Sequence, residues 1–349
     1  VTGDLETLFG IDAPIVLGPF GGMSSIPLTA SISEAGGLGS FGLYGYPGER
    51  IRETAAALRA ATGRPFALNL WLPTGDEVEP GDTDLAGARA AIAPLLGAAG
   101  VAPPPLPESF LPPLDEQLDA VWDAAPAALS VVFGVPAAET VAEAHRRGIR
   151  VVGTATSVAE AVALAAGGVD AIVASGAEAA GHRVSFLRRA EESLVGTVAL
   201  VPQVVDAVDV PVIAAGGIAD RRGVAAAFAL GAAGVQVGSA FLRTRQSAAS
   251  EAHRTALRAA ADTDTVLTRA MSGRLARGIP NRAVRAIEEA DAVAPFPAQN
   301  WLTAAFRAAA PNDADLISMW AGQAAGLSRS EDAEEVFAEL AAGIPARPH

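Results

Sequence analysis

The segment Val210–Phe241, VPVIAAGGIADRRGVAAAFALGAAGVQVGSAF, holds one complete strand–loop–helix–strand unit. Val210–Ala215 is a short apolar run that Gly216-Gly217 interrupts. Asp220 is placed to cap a helix over Arg221–Leu230, and Gly231 ends it. A second apolar run, Gly234–Gly238, follows at once. Short apolar runs that alternate with amphipathic, helix-length segments predict βα units and a parallel sheet.

The same unit recurs outward along the chain. Candidate strands fall at Pro14–Gly18, Leu38–Gly42, Phe66–Trp71, Ala128–Phe133, Arg150–Gly153, Ala171–Ser175, Val210–Ala215 and Gly234–Gly238. Helix signals lie between them. Ile26–Ala35 ends at Gly36, Pro136–Arg147 ends at Gly148, and Ser157 with Glu160 forms a capping box ahead of Ala161–Ala166. Eight strands with crossover helices predict an α/β fold, a closed (β/α)8 TIM barrel. An open, doubly wound sheet is the rival, but no Gly-x-Gly-x-x-Gly follows the first strand. Gly36-Gly37-Leu38-Gly39 sits before a strand rather than after one.

The rhythm fails twice. Thr74–Gln117 is a long connection rich in Asp, Glu and Pro, with a helix expected near Leu85–Leu96. An insertion after strand three of a barrel is placed to cover an active site. After about Asp262 no further strand is expected; Ala298–Ala309 and Asp313–Ala325 read as helices. The expected organisation is a barrel over residues 1–262, carrying the insertion 74–117, and a helical cap over 263–349.

Composition narrows the function. The net charge is −14 over 349 residues, which repels phosphodiester backbones and argues against nucleic acid as a partner. All the basic residues are Arg, so a Schiff-base lysine is excluded. Cysteine is absent, which excludes disulfides, Cys-ligated zinc and thiolate catalysis. Val1–Gly10 lacks a basic n-region, and no apolar run is long enough to cross a bilayer, so a cytoplasmic location is expected.

In a barrel the chemistry collects on the loops after the strands. The first such loop, Gly18–Ser25, is Gly-rich and suits either a tight turn or the close approach of a flat ring or an anion. Asn69 ends the third strand and can both donate and accept, towards a ring edge or its own backbone. His182 follows Ser175-Gly176-Ala177-Glu178-Ala179-Ala180-Gly181 and is the only histidine after a barrel strand. His145 and His253 lie beside Arg and Glu on expected helices and read as solvent-facing, and His349 is terminal. The last two loops carry Gly216-Gly217 and Gly238-Ser239, where barrels place a phosphate; backbone amides and the Ser239 hydroxyl would hold it.

With these residues in view, the chain resembles the nitronate monooxygenase family. The resemblance runs through Gly22-Met23-Ser24, Ala35–Gly39, Asn69, Phe133-Gly134, Thr154–Ser157, Gly181-His182-Arg183, Ala214–Ile218 and Val235–Ser239. It continues at Ser272-Gly273-Arg274, Ala276-Arg277, Gln299-Asn300 and Trp320–Gln323. It implies non-covalent FMN, held at Gly22, Met23, Ser24, Asn69, Ser175, Ala180, Gly181, Gly216, Gly217, Gln236, Val237, Gly238 and Ser239. It implies His182 as the catalytic residue and no metal. The implied reaction oxidises alkyl nitronates with dioxygen to a carbonyl compound and nitrite; His182 would take the α-proton of a neutral nitroalkane. An imidazole tuned near neutral pH would suit that task. The expected partners are a small-molecule substrate and dioxygen, with no nucleic acid and no membrane; the oligomeric state stays open.

Several positions depart from the family pattern. Ser175 stands where Gln is usual, Ala180 where a second Gly is usual, and Val132 where many members have His. The family's Tyr and Lys near the C-terminal part of the site are missing, with Phe296 and Trp301 in that region instead, so the substrate side is expected to be more apolar. A flavin-dependent enoyl-thioester reductase or a tailoring oxidoreductase using NAD(P)H resembles the same superfamily and is the alternative.

Overall fold

The computed structural model describes residues 4–346, so residues 1–3 and 347–349, His349 among them, lie outside the described residues. Eleven strands are present among them: β1 (Ile15–Leu17), β2 (Gly39–Gly42), β3 (Phe66–Trp71), β4 (Ala128–Val132), β5 (Arg150–Ala155), β6 (Ala171–Ser175), β7 (Gly181–His182), β8 (Val212–Ala215), β9 (Gly234–Val237), β10 (Val266–Thr268) and β11 (Ala276–Gly278). Eight of them form one parallel sheet in the order β1-β9-β8-β6-β5-β4-β3-β2. A parallel bridge between Val16 and Leu38 brings the two ends together, with Leu17 N donating to Leu38 O at 2.9 Å. The sheet therefore curls into a barrel, and each of the eight runs expected from the sequence supplies one of its strands.

The helix ends follow local chemistry. Ser25 caps Ile26–Glu34 by accepting from Leu28 N, and Asp220 caps Arg221–Ala229 by accepting from Arg222 N and Gly223 N. Ser157 caps Val158–Ala166 by accepting from Glu160 N, but Glu160 does not close the box onto Ser157. Its fully buried carboxylate accepts from Thr156 N and Oγ1 through one oxygen, and from Phe186 N and Leu187 N through the other. A capping signal in the sequence thus doubles as the anchor of the segment that follows β7.

Strand alternation decides what each barrel residue does. On β3, Phe66, Leu68 and Leu70 pack outward against helices, while Ala67, Asn69 and Trp71 face the barrel axis. One end of the interior is filled by Leu5, Phe9 and Ile11 together with Val16, Ala67, Val152, Val173 and Ile213. The other end, at the C-termini of the strands, stays hollow.

Two expectations for the C-terminal region are corrected. Strands do not stop after Asp262: β10, β11 and β7 form a small antiparallel sheet in which Ala276 lies opposite His182 and Arg277 opposite Gly181. Asp313–Ala325 is not a helix; Asn281 Nδ2 takes the carbonyls of Ala314 and Ile317, and Trp320 bridges to Gly278. Those carbonyls and that bridge occupy backbone groups that a helix would need. The expected helix near Leu85–Leu96 spans Ala86–Ala99 and packs on Arg282–Glu289 and Ala298–Ala309 around Ile92, Leu96, Ile287, Leu302 and Phe306. The insertion and the C-terminal region therefore share one apolar core. No helix among the described residues is long and apolar enough to cross a membrane.

Candidate active site

A cavity of about 330 Å³ opens at the C-terminal end of the barrel. Its floor is the last inward-facing residue of successive strands: Asn69 and Trp71, Val132, Thr154, Ser175, Ala215 and Gln236. The loops that follow complete it with Gly22, Met23, Ala180, Gly181, His182, Gly216, Gly217, Gly238 and Ser239. Twelve of the fourteen residues expected from the sequence line it; Ser24 and Val237 do not. Val237 points outward into the strand–helix core because Gln236 before it points inward. The Ser24 hydroxyl is consumed in the loop, where it accepts from Phe20 N at 3.2 Å and Gly42 N at 2.9 Å and donates to Phe20 O at 2.9 Å. Ser24 braces the first loop rather than presenting a free group.

The bare backbones leave room for a flat ligand. Gly22 has φ +74° and Gly217 has φ +71°, a region that favours glycine. A Cβ added at Gly22 would meet nothing within 4 Å, so it would project into open space. Asn69 is buried, and its Nδ2 donates to Ser130 O and Oγ at 3.2 and 3.0 Å, which leaves Oδ1 as an acceptor. Ser239 Oγ accepts from Gly322 N at 3.0 Å, which leaves its O–H free to donate to an anion. The helix that Ser239 begins spans only Ser239–Leu242, so individual N–H groups rather than a large helix dipole would serve that anion.

Buried polar contacts fix the β6–β7 loop. Arg183 donates to Ser175 O at 2.9 Å and to Gly176 O at 2.7 Å, and burial pulls its guanidinium down to about 10. The Glu178 carboxylate accepts from Thr197 N and Oγ1, each at 3.0 Å, and the Glu178 carbonyl accepts from Gln323 N at 3.0 Å.

His182 Nε2 lies 2.8 Å from Ser272 Oγ, and the imidazole meets Trp71 edge-on at 4.9 Å and Trp320 at 5.4 Å. Ser272 Oγ also lies 3.2 Å from Arg274 O. When Ser272 donates to that carbonyl it accepts from His182 Nε2–H, which leaves Nδ1 as the lone-pair nitrogen. Burial first, then the charges of Arg274 and Arg307, lower the His182 pKa to about 3. Burial therefore favours the neutral ring and makes it a weaker base than a free imidazole. The solvent-facing reading of His253 is corrected. It is buried rather than solvent-facing, lies 3.0 Å from Trp320 O through Nε2, and is pushed down to about 4 mainly by burial. His145 is exposed and pairs with Asp170 at 2.8 Å.

The rest of the lining includes two residues that the sequence did not single out, Tyr44 and Arg307. Tyr44 packs on Trp71 at 4.3 Å and accepts from Asn300 Nδ2 at 3.1 Å; burial pushes its phenol up to about 12. Phe296 lines the cavity beside Trp71 as expected, but Trp301 packs on Phe110 instead. Asn300 and Arg307 take the place of a wholly apolar wall. The signal for Arg307 was present as one Arg on an amphipathic helix, a pattern shared with many solvent-facing residues.

A (β/α)8 barrel with a glycine-walled cavity at the C-terminal ends of its strands is an enzyme architecture. The family comparison adds the chemistry: the nitronate monooxygenase family matches residues 3–343, and the chain belongs to that family of flavin-dependent oxidoreductases. A probable nitronate monooxygenase from Staphylococcus aureus (strain Newman) is 36% identical over 340 residues, covering 96% of this chain and 95% of that protein. Among solved structures, a nitroalkane oxidase from Streptomyces ansochromogenes aligns with a TM-score of 0.85 and 33% identity, over 97% of this chain and 96% of that one. FabK from Thermotoga maritima aligns with a TM-score of 0.75 and 28% identity, over 96% of this chain and 94% of that one.

Proposed function

We propose that this protein binds FMN without a covalent link and oxidises alkyl nitronates with dioxygen to a carbonyl compound and nitrite. The observation that carries the reading is the cavity itself: glycine backbones, the Asn69 acceptor and the free Ser239 hydroxyl meet one neutral, half-buried imidazole. Gly216, Gly217, Gly238 and Ser239 would hold the phosphate. Gly22, Met23, Asn69, Ser175, Ala180, Gly181 and Gln236 would surround the ring, while Ser24 and Val237 would act through the backbone they support. The bound flavin would supply electron transfer between substrate and dioxygen. The reaction balances when two nitronate anions and one dioxygen give two carbonyl compounds and two nitrites.

The protein's own part is to bind and orient. His182, fixed by Ser272 and the two tryptophans, would offer a neutral nitrogen to the substrate. A base this weak suits a nitronate that arrives already deprotonated better than a neutral nitroalkane. The insertion 74–117 and the described part of the C-terminal region, residues 263–346, would cover the barrel and keep water from the site. The test has two arms. Mass spectrometry of the pigment released by heat should show FMN; FAD, or no flavin after reconstitution, would overturn the cofactor. Under anaerobic conditions a nitronate, and not NADPH, should bleach the flavin band. Rapid bleaching by NADPH would favour the enoyl-thioester reductase.

A further inference from the structure

Two guanidinium groups stand beside the cavity, and only one is neutralised. Arg274 lies 2.6 Å from Glu77 and 2.8 Å from Asp76, both in the insertion, and over the ring of Phe296 at 4.0 Å. Arg307 lines the cavity from helix Ala298–Ala309. Its Nη2 donates to Asn300 Oδ1 at 2.7 Å and Asn300 O at 3.0 Å, and its Nη1 reaches Ser318 Oγ at 3.4 Å. The Arg307 Nε–H is buried with no partner among the described residues. No ion pair joins Arg307 to a carboxylate among those residues either; the titratable group that faces it is the Tyr44 phenol. Tyr44 is pushed up to about 12 and so stays neutral, whereas Arg307, drawn down to about 10 by burial, stays charged. Glu178, the one carboxylate lining the cavity among the described residues, is held by Thr197 and faces Arg183 and Arg277.

A half-buried cation whose Nε–H is fully buried and which has no counter-charge is costly unless an anion arrives to meet it. A guanidinium fork fits a planar group with two oxygens, and a nitronate carries its charge on two oxygens in one plane, as a carboxylate does. We propose that Arg307, with Asn300 and Tyr44, is the seat that binds the planar two-oxygen anion of the substrate. Resting on the function proposed above, this makes Arg307 a specificity determinant that favours an anionic substrate over its neutral conjugate acid.

The test titrates propionate and its neutral isostere propionamide into the flavin-loaded protein, read by the shift of the flavin absorption bands. Propionate should bind wild type and propionamide should not do so measurably. Arg307→Met should weaken propionate about 10- to 100-fold, the range for losing a charge-assisted contact, and Arg307→Lys should recover part of it. FMN should remain bound in both variants. Equal affinity of wild type for acid and amide would overturn the seat without needing any variant. So would unchanged propionate affinity in Arg307→Met, or loss of FMN from Arg307→Met and Arg307→Lys alike, which would assign the charge to the cofactor. Binding without turnover separates the two readings. Selective propionate binding with no nitronate oxidation would leave the seat and remove the reaction; nitronate oxidation with unchanged KM in Arg307→Met would do the reverse.

Discussion

Gly22→Leu separates loss of the flavin site from loss of the fold. Gly22 lines the cavity, has φ +74°, and has no atom within 4 Å of the Cβ that a substitution would add. In the protein alone the substitution meets only left-handed backbone strain, about 1–2 kcal/mol. At roughly 2–4 °C per kcal/mol for a large domain, the apoprotein should melt within roughly 8 °C of wild type. A leucine there would push a ring away from Asn69 and the neighbouring amides. Two or three hydrogen bonds at about 1 kcal/mol each would be lost, so FMN affinity should fall about 30- to 150-fold. The assay is quenching of flavin fluorescence on titration into apoprotein, beside the melting curve of the same sample. Gly39→Ala is the contrast: its Cβ would press into the Thr29 carbonyl and the Ser33 hydroxyl, so fold and flavin should fail together. A folded Gly22→Leu protein that binds FMN within threefold of wild type, a margin of about 0.7 kcal/mol, would refute the placement of the ring.

Three further outcomes follow from buried groups. Because His182 titrates at about 3, nitronate turnover should show no His182 limb between about pH 5 and 8, and His182→Asn should slow the anion less than about tenfold; a limb near pH 6.5 that this variant abolishes would restore the general base. Glu160→Ala should cost at least about 3 kcal/mol, because the N–H groups of Thr156, Phe186 and Leu187 lose their acceptor, and a urea midpoint like wild type's would contradict this. His182 and His253 sit at about 3 and about 4, below their unfolded value of 6.5, so the unfolded chain binds protons first as pH falls. Stability should be full above about pH 6.5 and then decline on acidification by up to about 1.4 kcal/mol per unit for each ring. His253→Gln should flatten that decline, and an unaltered slope would show that carboxylates carry it.

The barrel was legible because each strand is a short apolar run closed by glycine or a cap, as in Val210–Phe241. Both outer and inner faces of such strands are buried, so composition alone announces them. The sheet of β7, β10 and β11 was not legible: its strands are two or three residues long, and their pairing depends on a partner far away in the chain. Asp313–Ala325 carries apolar residues at helix-like spacing, yet Asn281 claims two of its carbonyls, a tertiary contact that no local pattern shows. In the site, glycines and His182 stood out by position. The Ser24 hydroxyl and the Val237 side chain do not reach the cavity, because hydroxyl partners and strand phase decide which groups do. Arg307 and Tyr44 were missed because their significance lies in what does not face them.

Oxygen uptake with a pre-formed alkyl nitronate, with nitrite measured in the same vessel, tests the proposed reaction most directly. The expected result is steady oxygen consumption without NAD(P)H, two nitrites for each dioxygen, and loss of both signals when the flavin is removed. No oxygen uptake by flavin-loaded protein on any alkyl nitronate, together with reduction of its flavin by NADPH, would contradict it.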